Sequence, residues 1–182
     1  MKRLLLSSLF VCALAAAPAY AALQAGAKAP DFQAQASLGG KEFTFKLKDA
    51  LKKGPVVVYF YPAAFTKGCT LEAHAFAEAT DEFKKYNTTV IGVSADKIDV
   101  LNKFSVSECG SKFAVAADAD KSIMKAYDSV LANRTEIAAR NSFVISPKGE
   151  VLYSYADMNP NDHVANTMAV VKKYKETKGK MS

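Results

Sequence analysis

Cys69 is the residue of this chain best placed to do chemistry. It stands in Pro62-Ala63-Ala64-Phe65-Thr66-Lys67-Gly68-Cys69-Thr70, after the apolar run 56–61 and before an amphipathic stretch, 71–86. That order predicts a strand, a loop and a helix, with the thiol at or near the first helical turn. Unpaired N–H groups and the dipole of a helix start favour an anion. A thiol so placed forms thiolate, the nucleophilic state of sulfur. Thr66, three residues earlier, supplies a hydroxyl that both donates and accepts. Pro62, seven residues earlier, has no N–H and a fixed backbone angle. The alternative for Cys69 is an inert buried thiol, a common state of free cysteine.

The elements that must hold this thiol are readable around it. Residues 56–61 are apolar on both faces, as in a strand at the middle of a sheet. The following helix turns Phe76, Ala79, Phe83 and Tyr86 inward and His74, Glu78, Asp81 and Lys85 outward. Further strands are expected at 43–47, 89–93, 113–116, 141–145 and 150–155, the last two forming a hairpin over Ser146-Pro147-Lys148-Gly149. Helices are expected from about Lys97, capped by Ser94-Ala95-Asp96, to Cys109-Gly110, then over 120–127 and over 162–175 with Val164, Met168 and Val171 inward. Residues 27–32 form an extended entry, and 129–140 fit no element. Strands alternating with helices make this an α/β fold in three layers.

Composition sets the limits. Half of the 182 residues are hydrophobic and 23% are charged, which suits a globular protein. Lys2-Arg3, an apolar stretch over 4–17 and Ala19-Tyr20-Ala21 read as a secretory signal peptide over 1–21, cleaved after Ala21. That stretch is short of the about 20 residues that span a bilayer, so no stable membrane insertion is expected after cleavage. The remainder, 22–182, suits one domain. The formal charge of +6 becomes +4 without Lys2 and Arg3, and much of the excess lies in the tail, at Lys172, Lys173, Lys175, Lys178 and Lys180. Arg134 and Arg140 are then the remaining arginines, and nucleic-acid recognition patterns are missing. His74 and His163 lie on separate helices without ligand spacing, so both are assigned to structure or solvent and no metal or cofactor is expected. Two cysteines remain, Cys69 and Cys109, a count compatible with a structural or a redox-active pair.

Pro62, Thr66 and Cys69 form the pattern P-x-x-x-T-x-x-C, which resembles the active-site loop of peroxiredoxins, thiol peroxidases with a thioredoxin-like fold. The longer string YFYPAAFTKGCTLEAHAF is similar to the Q-type, or bacterioferritin-comigratory-protein, branch. IGVSADKIDVLNKF, KFAVAADAD, RNSFVISPKGEVL and DHVANTMAVV agree in order, so the resemblance runs from about Gly26 to Tyr174. Lys67 departs from the proline often found before Gly-Cys in that branch. The resemblance implies a thioredoxin-like three-layer α/β/α sandwich with a central mixed sheet.

It also implies roles. Cys69 is the peroxidatic nucleophile, which reduces hydrogen peroxide or an organic hydroperoxide and becomes a sulfenic acid. Thr66 hydrogen-bonds thiolate and peroxide, and Pro62 shields the sulfur from water. Arg140, before the late strand, reaches the sulfur and stabilises its charge. Arg134 is its rival. Glu72 matches an acidic position of the branch, although a carboxylate in a first helical turn is also simply favourable. The position five residues after Cys69, where some members carry a resolving cysteine, is His74. Others carry it on the later helix, where this chain has Ser105, with Cys109 one turn on. Cys109 is thus a candidate resolving residue, with a one-cysteine enzyme as the alternative. A hydroperoxide substrate, a thioredoxin-like or small-thiol reductant and a monomer follow, and the leader over 1–21 implies a periplasmic or secreted location. A competing function, an envelope thiol-disulfide oxidoreductase without peroxidase activity, needs a C-x-x-C motif, and Thr66-Lys67-Gly68-Cys69 lacks it. A binding module that merely kept the fold is the third reading.

Overall fold

The computed structural model describes residues 23–179. The expected leader, 1–21, lies outside the described residues, as do Cys12 and Lys180. The elements run β1 (Gln33–Leu38), β2 (Lys41–Lys46), α1 (Leu47–Leu51), β3 (Val56–Phe60), α2 (Lys67–Lys85), β4 (Thr89–Ser94), α3 (Ile98–Ser107), β5 (Ala114–Ala117), α4 (Ser122–Ala126), β6 (Val130–Leu131), β7 (Arg134–Ala138), β8 (Asn141–Ile145), β9 (Val151–Ala156) and α5 (His163–Gly179).

Seven strands form one mixed sheet in the order β2-β1-β5-β4-β3-β8-β9. β3 lies parallel to β4 and antiparallel to β8. All five residues of β3 are buried. Val56, Val58 and Phe60 enter one apolar layer with α1 and α4, through Leu47, Leu51, Ile123 and Met124. Val57, Tyr59 and the following Tyr61 enter the other, with Phe76 and Phe83 of α2, Leu101 and Phe104 of α3, and Val171 of α5. Covering of both faces is the reason the run shows no polar alternation. The result is the expected sandwich, helices on both sides of a mixed sheet. Tyr59 pairs in register with Gly92, and a Cβ on Gly92 would stand 2.8 Å from the Tyr59 hydroxyl, so that glycine makes room for the ring.

This topology brings the chemistry to one end of the sheet. Phe60 pairs with Asn141, so Tyr61, which leads into the Cys69 loop, and Arg140, which precedes β8, lie at the same edge. β4 runs parallel to β3 and ends at Ser94 beside them.

Apart from shifted element ends, the structure departs from the sequence reading in three places. β1, unexpected, pairs with β2 and β5. Its sequence, QAQASL, lacks the β-branched and aromatic residues that mark strands. The segment that fitted no element contains the small β6–β7 hairpin, apart from the main sheet. The expected cap of α3 is also different: Lys97 is the N-cap, without a side-chain hydrogen bond, and Asp96 turns to the Cys69 loop instead.

Candidate active site

The loop between β3 and α2 is held from below. The Asp96 carboxylate accepts from the Ala64 N–H at 2.8 Å and from the Ser94 hydroxyl at 2.8 Å. Phe65 takes a left-handed φ of 64°, rare for a bulky residue, and its ring meets Phe104 of α3 edge-on at 5.2 Å. Thr66 is the N-cap of α2. Its hydroxyl donates to the Ala63 carbonyl at 2.9 Å, and its backbone carbonyl accepts the Thr70 N–H. That leaves the lone pairs of the Thr66 hydroxyl available to accept. Pro62 is partly buried at the start of the loop.

Cys69 is the third residue of α2, in its first turn, because the helix begins at Lys67, four residues before the stretch read as helical; its side chain is buried. Arg140 Nη2 lies 3.5 Å from its Sγ. The guanidinium is itself fixed. Nε donates to the Met158 carbonyl at 3.0 Å, and Nη1 donates to Glu72 Oε2. Arg140 is 4% exposed and Glu72 is fully buried. Gly68 is what lets this cation approach, because a Cβ there would stand 3.0 Å from Nη2. Arg134, the rival, is exposed and pairs with Glu136 on β7.

Glu72 shares the buried stripe of α2 with Cys69, Ala73, Phe76, Thr80 and Phe83. Burial pushes its carboxyl up to about 8, against the opposing pull of Arg140. His163, at the start of α5, is fully buried with Nδ1 3.6 Å from Glu72 Oε1. Its assignment to structure or solvent thus resolves to a buried place behind the site, a connection the sequence reading missed. The available signal was Glu72 itself: a carboxylate four residues before Phe76, on the apolar stripe, requires buried polar partners. His74 stays on the outer face, as expected, and meets Glu108 at 3.0 Å.

Cys109 follows α3 in a turn and is buried in the same apolar layer as Cys69. Both cysteines are free. Burial pushes the Cys109 thiol up, far from ionisation at neutral pH. The phenols of Tyr59 and Tyr61 are held well above their usual range, by burial first and with a lesser push from both sulfurs. Among the described residues no group of His, Cys, Asp and Glu is arranged to hold a metal ion.

A nucleophile with a fixed guanidinium beside it and a hydroxyl at the helix cap can attack an electrophilic atom and stabilise the charge that leaves. The comparisons agree with that arrangement. The family model described as the AhpC/TSA family matches residues 25–154. The peroxiredoxin bcp of Helicobacter pylori strain J99 is 33% identical over 151 residues, 80% of this chain and 96% of that protein. The chloroplastic 2-Cys peroxiredoxin BAS1 of Hordeum vulgare is 36% identical over 135 residues, and this chain spans 64% of its length. Among solved structures, peroxidoxin BcpB of Mycobacterium tuberculosis superposes with a TM-score of 0.75 at 25% identity, over 82% of this chain and 97% of that one. Peroxiredoxin Q of Xanthomonas campestris gives 0.68 at 27% identity, over 78% and 90%. The chain therefore belongs to the AhpC/TSA family and is a peroxiredoxin of the bacterioferritin-comigratory-protein, or Q, type.

Proposed function

We propose that this peroxiredoxin is exported and reduces hydrogen peroxide and organic hydroperoxides through Cys69, with Cys109 as the resolving thiol. The observation that carries the Cys69 assignment is the 3.5 Å approach of Arg140 to its sulfur in a buried site. The thiolate attacks the terminal oxygen of the hydroperoxide, and the O–O bond breaks. The sulfur is oxidised to a sulfenic acid, and the departing alkoxide or hydroxide takes a proton to leave as alcohol or water. Arg140 steadies the thiolate and then the departing oxygen. Thr66 accepts from the bound peroxide with its free lone pair. Pro62 keeps water from the sulfur. Phe65, Leu71 and Met158 are large apolar side chains left about half exposed on the segments that carry the site, which favours a peroxide with an apolar body.

In the second step the Cys109 thiol attacks the Cys69 sulfur, releasing water and forming a disulfide. Cys109 cannot do so from its seat, because burial keeps it protonated. Its turn must open first. A thioredoxin-like or small thiol then reduces the disulfide. No helix among the described residues is long and apolar enough to cross a membrane. The leader over 1–21 supports a periplasmic or secreted site of action, and we take the working form as a monomer.

Stoichiometric hydrogen peroxide followed by intact and peptide masses without reductant tests the reading. A Cys69–Cys109 disulfide is expected. Oxidised Cys69 with free Cys109 would make it a one-cysteine enzyme, and unmodified Cys69 would overturn the peroxidase assignment.

A further inference from the structure

The Cys69, Arg140 and Glu72 chain continues to a histidine that the peroxidase steps do not use. His163 Nε2 lies 2.9 Å from the Asp157 carbonyl oxygen. A carbonyl only accepts, so Nε2 carries the hydrogen. Nδ1 lies 2.8 Å from the Ser142 hydroxyl and 3.6 Å from Glu72 Oε1. Glu72 Oε1 is buried and has no hydrogen-bond partner among the described residues, while Oε2 is taken by Arg140. Nδ1 carries no hydrogen and accepts the Ser142 O–H, so Glu72 Oε1 is the acceptor left over, facing the ring edge in a water-excluded site. A buried acceptor left so is costly, and a proton on it, turned toward the imidazole, removes the cost.

We propose that His163 is a positioning residue for Cys69: its imidazole, locked by Ser142 and Asp157, backs the free oxygen of Glu72, a proton on that oxygen turns toward the ring, and the carboxyl so held fixes Arg140 against the sulfur. The inference rests on the assignment of Cys69 and Arg140 above and adds the group behind them. The surroundings fit. Glu72 and Cys69 face the pair from α2, and Arg140 and Ser142 from β8 and its approach. Tyr155 of β9 stands edge-on to the imidazole at 4.8 Å, and Asp157 and Asp162 act on it from the β9–α5 connection. Burial outweighs the two aspartates and holds His163 below its usual range, while burial raises Glu72. Both shifts favour a neutral pair with the proton on the carboxyl, on the side that faces the ring. Glu72 can then hold Arg140 without cancelling its charge, which stays available to the sulfur.

The test is the rate of Cys69 alkylation by iodoacetamide across pH, read by peptide mass on the purified reduced protein. His163→Phe keeps bulk and removes the acceptor. It should slow alkylation at neutral pH about tenfold, less than the hundredfold a misplaced group can cost. It should also shift the pH profile. Glu72→Gln and the double variant should match each other, because both residues act through one carboxyl. A folded His163→Phe protein with the unchanged profile, or effects that multiply in the double variant, would overturn the proposal. If His163→Phe does not fold, His163→Asn and His163→Gln decide. Asn places an acceptor where Nδ1 stands and should retain the profile, and Gln should lose it; equal behaviour would overturn the idea. Alkylation is independent of peroxide turnover. Absence of peroxidase activity with these alkylation results would remove the peroxidase reading and leave the role of His163 in place.

Discussion

Arg140 acts here because nothing else occupies its place. Its Nη2 has Gly68 on one side and the Cys69 sulfur on the other. Gly68→Ala adds a methyl group at 3.0 Å from a guanidinium already tied to Glu72 and to Met158, so the cation must yield. Alanine is the better helix former, by about 1 kcal/mol in a helix interior. The substitution should therefore leave the unfolding midpoint unchanged or raise it, while the rate with peroxide falls about tenfold through displacement of Arg140. Stopped-flow peroxide consumption beside urea unfolding separates the two effects. A rate within twofold of the parent would show that Arg140 has room to move. Cys69 was read from its place at a helix start, and Pro62, Thr66 and Arg140 from the family resemblance; the structure places Arg140 against the Cys69 sulfur. Glu72 was legible as a residue but open as to role. His163 was not legible as a partner, since its proximity to Glu72 arises from α5 packing across α2, a contact no local pattern records.

At the level of elements, α2 carries the nucleophile and also holds the turn that carries Cys109. His74, half-exposed, meets Glu108, the neighbour of Cys109, at 3.0 Å. A half-exposed polar contact of this kind is worth no more than the about 0.2–1 kcal/mol of an exposed ion pair, so its loss should ease local opening by up to about fivefold. His74→Ala is expected to form the Cys69–Cys109 disulfide two- to fivefold faster after a peroxide pulse, measured by quenched alkylation and mass. A slower reaction would mean that the contact guides Cys109 rather than retaining it. The central elements were readable because β3 is apolar throughout and α2 has a helical stripe. β1 escaped because Ala, Gln and Ser give alternation without strand-forming side chains. Its pairing with β5, some 80 residues away, is settled by the sheet as a whole. β6 and β7 escaped for the related reason that a two-stranded hairpin buries little and leaves little pattern.

For the molecule as a whole, the buried carboxyl gives stability a pH dependence of known sign. Glu72 titrates at about 8 when folded, against an ordinary value of 4.5. Between these values the folded state holds more protons than the unfolded one. The contribution is therefore full below pH 4.5 and is lost as pH rises through about 8. His163 runs the other way: held below its ordinary value of 6.5, it contributes stability above that pH and loses it on acidification. From pH 6.5 to 8 the Glu72 effect stands alone of the two. Urea midpoints should fall across that window in the parent, and Glu72→Gln should flatten the slope; equal slopes would place the titrating group elsewhere. Phe104 joins the loop of Cys69 to the turn of Cys109. Its ring supports Phe65, which holds the loop ahead of Thr66, and its carbonyl accepts the Cys109 N–H at 3.1 Å. If Cys109 resolves Cys69 as proposed, its withdrawal breaks that bond and loosens the brace under the loop. On that proposal the protein works as a turnstile, admitting one peroxide and locking until a reducing thiol resets it, and its throughput in a peroxide surge is metered by the supply of electrons.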